Sequence, residues 1–265
     1  MPRFSPVSAS KPTDVMLDNC CALFETFHKK EILMATTLSF IPDKGLIMLP
    51  IGDQMALIDT GSPASISSHP FDFGGERHTT PDQFMGFTTR QLSHLAGIAI
   101  DILIGCDILS HHKLRIRWQE QGIDIGDDTP DGDTVDEMES MSGCPIFPLR
   151  IAGNNTKALF DTGAHLSYIS QSLVAGMTQT GQKADFHPFK GHFTSPTYTI
   201  ETALGGKAFA MEYGTLSGEL GAAVDMTLNM TNTTAVIGTE LLQHFDCTLD
   251  WKERRISWSL IEGKN

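Results

Sequence analysis

From residue 32 onward, short runs of apolar and β-branched residues alternate with turn residues, which is a β pattern. Strands are expected over 32–41, 46–51 and 55–58, separated by turns at Pro42-Asp43-Lys44-Gly45 and Gly52-Asp53. Residues 69–82 carry Pro, Gly, Asp and Thr and read as loop, and 84–95 reads as a strand with a short turn. A buried strand over 97–104, interrupted by Asp101, leads into a short helix at 107–111 and a closing hairpin of 114–118 with 122–125. Later, 146–151 and 157–160 flank a turn at Gly153-Asn154-Asn155, and 198–204 and 207–213 flank Gly205-Gly206 as a hairpin. Only the first residues break the β pattern. Residues 1–12 are polar and unstructured by composition, and Asp14 can cap a helix reaching about Lys30. Met16, Cys20, Leu23 and Phe27 would form its apolar face, widened by Leu17 and Phe24, either docked on the body or forming a removable prosegment.

The strand pattern occurs twice. Ala56-Leu57-Ile58-Asp59-Thr60-Gly61-Ser62 matches Ala158-Leu159-Phe160-Asp161-Thr162-Gly163-Ala164. Each is followed by an apolar run ending in glycine, Ile102-Leu103-Ile104-Gly105 and Ala235-Val236-Ile237-Gly238. From each of these glycines an acid follows at +2 (Asp107, Glu240), a leucine at +4, a histidine at +6 (His111, His244) and a tryptophan at +13 (Trp118, Trp251). Several anchors at fixed offsets identify an internal duplication. Asp59 to Gly105 spans 46 residues and Asp161 to Gly238 spans 77, so the second copy carries 31 more, within about 186–230. The expected organisation is an N-terminal extension (1–30), a first lobe (31–123), an acidic interlobe linker (124–143) and a second lobe (144–265).

Charge and cysteine content narrow the function. Against 19 Lys and Arg stand 32 Asp and Glu, a formal net charge of -13, so neither nucleic acid nor an anionic membrane is an expected partner. Five cysteines, an odd number with Cys20 and Cys21 adjacent, do not form a disulfide framework, and the absence of a Cys-x-x-Cys pair argues against a zinc site. Residues 1–12 lack the apolar run of a signal peptide, which gives the expectation of a cytoplasmic protein with buried thiols. The acidic stretch from Asp124 to Glu139 reads as a self-repelling linker, without the ligand spacing of a calcium loop.

Two Asp-Thr-Gly triplets, each with its trailing apolar-apolar-Gly strand, resemble the pepsin-like and retropepsin-like aspartic proteases over about residues 32–260. The resemblance implies an all-β, bilobal acid protease fold with the cleft between two duplicated lobes. It implies a catalytic dyad of Asp59 and Asp161, cross-braced by Thr60 and Thr162. Gly61 and Gly163 would allow the two loops to approach, Gly105 and Gly238 would lie beneath them, and Ser62 and Ala164 would complete them. Ser62 would hydrogen-bond the dyad, whereas Ala164 has no hydroxyl to do so. Tyr213, Gly214, Thr215 and Ser217 resemble a flap tip, here in the second copy, while the first copy is too short for a full flap. No cofactor or metal is implied. The implied substrate is an extended peptide or unfolded segment, and both aspartates in one chain imply a monomer.

Two close carboxyls suit amide hydrolysis, because they cannot both be charged: one takes a proton from water while the other donates a hydrogen bond. Which is the base cannot be read from a near-symmetric pair. The competing expectation is a catalytically silent relative that binds peptides or a partner protein in the same cleft. Segments 1–30 and 124–143, both expected to be exposed, are the candidate sites for self-cleavage.

Overall fold

A computed structural model describes residues 35–188 and 190–261 of the chain. The helix expected within 1–30 lies outside the described residues. The architecture is all-β, with strands gathered into three main sheets and short helices between them.

Each Asp-Thr-Gly loop follows an antiparallel strand pair. Leu46–Ile51 pairs with Gln54–Ile58 before Asp59, and Cys144–Ile151 pairs with Asn154–Phe160 before Asp161. The first pair is apolar on both faces because both are covered. Ile47, Leu49, Ala56 and Ile58 enter the main core, whereas Leu46, Met48 and Leu57 face a second apolar cluster with Ile66, Leu92 and Leu103.

The strand ending in the trailing glycine then returns parallel to the strand before the aspartate. Ile104 lies beside Ile58, and Ile237 lies beside Phe160 in the same register. One bond fixes each loop to this strand at its first residue: Asp59 N–H donates to Ile104 O at 3.0 Å and Asp161 N–H to Ile237 O at 2.9 Å. The parallel register therefore delivers each aspartate and its glycine to the same sheet end.

A third sheet unites the halves. Lys113–Arg117 and Gly122–Ile125 from the first copy join Phe245–Asp250 and Arg255–Leu260 from the second, with Leu114 opposite Leu249. Beneath it Trp258 packs among Phe147, Phe160 and Phe245, with ring centroids 5.0–6.2 Å apart. Trp118 stacks near Phe40, and Trp251 donates its indole N–H to Gly143 O.

Several segments differ from the sequence reading. The expected free acidic linker is ordered: Thr134–Glu137 forms an edge strand against Arg255–Leu260, and Glu139–Met141 pairs with Cys144–Ile151. Its charges find cations on the strands it crosses, Asp124 with Arg117 at 2.9 Å, Asp131 with Lys113 at 2.8 Å and Glu139 with Lys157 at 2.6 Å. Residues 69–82 contain a hairpin, Phe71–Phe73 with Glu76–His78. The 84–95 region is a small hairpin, Gln83–Phe84 with Phe87–Thr88, followed by the helix Thr89–Ala96. That helix begins in a capping box between Thr88 and Gln91 and ends at Gly97 in the left-handed conformation. The extra length of the second copy supplies Gly181–His187, the long hairpin Gly191–Leu204 with Lys207–Gly214, and the helix Gly218–Thr231. Among the described residues no helix is long and apolar enough to cross a membrane.

Candidate active site

The two Asp-Thr-Gly loops meet face to face, and their threonines build the junction. Thr60 Oγ1 donates to Phe160 O at 2.8 Å and accepts from Thr162 N–H at 3.0 Å. Thr162 Oγ1 donates to Ile58 O at 2.7 Å and accepts from Thr60 N–H at 3.0 Å. All four bonds cross between the copies, and both threonines are fully buried. Only a hydroxyl can donate and accept at one atom in this way.

The junction places each carboxyl against the other loop's glycine. A Cβ on Gly61 would overlap the Asp161 carboxyl, and a Cβ on Gly163 would overlap the Asp59 carboxyl. Asp59 Oδ1 accepts from Gly61 N–H at 2.9 Å and Ser62 N–H at 3.0 Å. Asp161 Oδ1 accepts from Gly163 N–H at 2.9 Å, and Ala164 N–H also bonds this carboxyl. Ser62 thus reaches the dyad through its backbone. Its hydroxyl donates to Ala64 O at 2.8 Å instead, which corrects the expected side-chain bond.

Gly105 and Gly238 support the loops from below. A Cβ on Gly105 would stand 2.6 Å from Ala64 O, and one on Gly238 would stand 2.5 Å from His165 O. Their amides donate to matched serines, Gly105 to Ser65 Oγ at 2.8 Å and Gly238 to Ser167 Oγ at 3.0 Å. These serines lie six residues after each aspartate and escaped the sequence reading, although the repeated offset marks them.

Burial raises both carboxyls above the ordinary value of 3.8. Asp59 is pushed well above it by desolvation and then by the adjacent Asp161, against the pull of its two backbone donors. Asp161 is raised by desolvation, opposed by its own donors and by a hydrogen bond from Asp59. The pair therefore holds one shared proton and titrates as a unit.

Two thiols line the underside of the first loop. Cys106 Sγ donates to Thr60 O at 3.2 Å and Cys144 Sγ to Gly61 O at 3.5 Å, and both are free. Contact with Cys144, then burial, pushes the Cys106 thiol far up, so it stays neutral.

The expected flap tip is not one. Tyr213 is fully buried, pairs in parallel with Ser167 and hydrogen-bonds Thr202 through its hydroxyl at 2.8 Å. Thr215 is also buried and is tied to Ser195, with Gly214 packed against Leu166 and Tyr168. Ser217 begins the helix Gly218–Thr231. Two other hairpins reach the cleft, a cavity of about 570 Å³ that includes both aspartates. Gly181–His187 with Gly191–Leu204 brings Asp185, Phe186 and His187 from the second lobe, and Phe84, Met85 and Phe87 come from the first. His165 is partly buried: it lines the cleft, packs on Gly45 and shares a 3.2 Å bond with Thr239. Among the described residues no group of three or more His, Cys, Asp and Glu side chains could hold a metal ion.

No family model matches the chain, and no curated protein matches it. Among solved structures, a retropepsin-like aspartic protease from Rickettsia conorii is similar at a TM-score of 0.34 and 16% identity, over 48% of this chain and 89% of that one. At that score and identity the likeness carries no weight for function.

Proposed function

We propose that the chain is an aspartic endopeptidase that cleaves extended polypeptide with the Asp59/Asp161 pair. One observation carries this reading: two half-buried carboxyls, each seated against the other loop's glycine, lie side by side within an open cleft. A structural aspartate pair would gain nothing from that arrangement, since burying two adjacent carboxyls without a cation costs stability.

In this reading the charged member of the pair removes a proton from a water held between the carboxyls. The resulting hydroxide attacks the peptide carbonyl carbon. The neutral member donates its proton toward the carbonyl oxygen and so stabilises the tetrahedral intermediate. The C–N bond then breaks as the nitrogen takes up a proton from the pair, and one hydroxyl of the intermediate returns a proton to the pair as the new carboxyl group forms. Both aspartates lie in one chain, so the reading requires no second subunit. The rate should be bell-shaped in pH, falling at low pH as the pair takes up a second proton and at high pH as the shared proton is lost. Because burial raises both carboxyls, both limbs should sit above those of ordinary carboxylates.

The test is cleavage of a diverse peptide library across a pH series, read by mass spectrometry, with wild type beside Asp59→Asn and Asp161→Asn. Cuts by wild type, with kcat reduced about a thousandfold or more in each variant, are expected for groups acting as one unit. Folded wild type that cuts nothing at any pH would overturn the reading in favour of a peptide-binding cleft.

A further inference from the structure

The internal duplication allows the two walls of the cleft to be compared position by position. Seven residues after each aspartate stand Ile66 and Tyr168, and two residues before each trailing glycine stand Leu103 and Val236. Ile66 pairs with Leu103 and Tyr168 with Val236, so the two sites are equivalent in register as well as in sequence. On the first-lobe side Leu57, Phe84, Leu92 and Ile100 lie beside Ile66 and Leu103, and Lys44, which also lines the cavity, has its ammonium bonded to Ala96 O at 2.8 Å and Gly97 O at 3.1 Å. On the second-lobe side Tyr168 donates its hydroxyl to Asp185.

Asp185 comes from the strand Gly181–His187, which crosses the cleft. Phe186 packs against the first-lobe cluster, so alternation turns Asp185 and His187 the other way. Asp185 Oδ1 also accepts from Phe186 N–H at 2.8 Å, leaving acceptor capacity on both oxygens. Among the described residues it makes no salt bridge: Lys183, two positions earlier, is held by Glu212 at 2.5 Å. Burial lowers His165 and His187, so neither supplies positive charge here at neutral pH. Asp185 lines the same cavity as both members of the dyad.

We propose that the cleft selects an asymmetric peptide, with an apolar side chain against Ile66 and Leu103 and a lysine or arginine within two positions of the cut bond, read by Asp185. This rests on the peptidase reading. An uncharged side chain in that place would cover the Asp185 carboxylate without replacing the water it loses, which disfavours it. A cation restores the lost interaction.

The test uses a peptide with lysine at the preferred position and its norleucine analogue, nearly equal in length but uncharged. Wild type, Asp185→Asn and Tyr168→Phe are compared, after library cleavage has located the preferred position. Cut sites enriched in Lys or Arg on one side of the bond are expected. Wild type should favour lysine over norleucine by about tenfold or more in kcat/KM. Asp185→Asn should remove that ratio while still cutting the norleucine peptide, and Tyr168→Phe, which keeps the carboxylate, should retain it. Cut sites without basic residues, or a ratio unchanged in Asp185→Asn, would overturn the proposal. The wild-type ratio needs no variant to fold. Fluorescence anisotropy of both labelled peptides separates this proposal from the reading beneath it. Binding that prefers lysine without cleavage keeps the cleft assignment and ends the peptidase reading. Cleavage without preference does the reverse, and neither binding nor cleavage ends both.

Discussion

Thr60 and Thr162 make the same hydrogen bonds, atom for atom, whereas Ile66 and Tyr168, equivalent positions seven residues beyond each aspartate, line walls of opposite character. The difference follows from what each residue faces. Each threonine is the other's partner, so a change in one copy breaks a bond in both. Ile66 and Tyr168 face different neighbours and the cleft, so each can change alone. Duplication thus leaves a symmetric junction inside an asymmetric cleft.

The symmetric half of this comparison predicts matched losses. Thr60→Val and Thr162→Val each leave a buried carbonyl and a buried amide without partners. Each unpaired group costs about 1–3 kcal/mol, so either variant should lose about 2–6 kcal/mol in urea unfolding. The two losses should agree, the double variant should cost less than their sum, and serine at either position should recover most of the stability. A large difference between the single variants would break the symmetry of the junction.

A smaller matched pair lies beneath the loops. Alanine at Gly105 or Gly238 would set its Cβ 2.5–2.6 Å from a backbone carbonyl oxygen, which cannot rotate away. Overpacking of this kind costs about 1–3 kcal/mol, and the loop shift should also lower kcat. Equal stability of Gly105→Ala and wild type would mean that the loop can yield there.

These symmetric features were legible in the sequence because they are local and repeated. Asp59 and Asp161, their threonines and the trailing glycines each recur at a fixed offset. The segments that escaped depend on partners distant in the chain. The acids of 124–143 suggest repulsion until Lys113, Lys157 and Arg117 come beside them. The strand Gly181–His187 has no clean alternation of polar and apolar residues, because Phe186 and Asp185 both face protein, on opposite sides. Tyr213-Gly214 resembled a flap tip, but pairing on both sides buries it. The helix Thr89–Ala96 did carry local signals, Thr88 with Gln91 at its start and Gly97 at its end, which the apolar pattern of 84–95 obscured.

The carboxyl pair links the site to stability. Both folded-state carboxyls titrate above the ordinary value of 3.8, so protons bind the folded form more tightly. Their favourable contribution is complete below that value and is lost as pH rises through the raised folded values. Asp59→Asn removes this loss. Its Tm should therefore exceed that of wild type at neutral pH, by about 2–4 °C for each kcal/mol relieved, and converge with wild type in acid. Thermal unfolding at both pH values measures it, and a variant less stable at neutral pH would contradict the assigned burial cost.

The smallest effect sharpens the asymmetric half. Tyr213 and Tyr168 stand on neighbouring strands of the same sheet, and only Tyr168 lines the cleft. Tyr213→Phe loses one buried hydroxyl and its bond to Thr202, a cost of about 1 kcal/mol in stability. Because that hydroxyl points into the core, kcat/KM on any cleaved peptide should stay within about twofold of wild type. A tenfold loss would return Tyr213 to the cleft side of the sheet and contradict the hairpin Gly181–His187 with Gly191–Leu204 as the second-lobe hairpin that lines the cleft. Unchanged activity with lowered stability would leave that hairpin, with Asp185 on it, as the second-lobe element that differs most from its counterpart in the first.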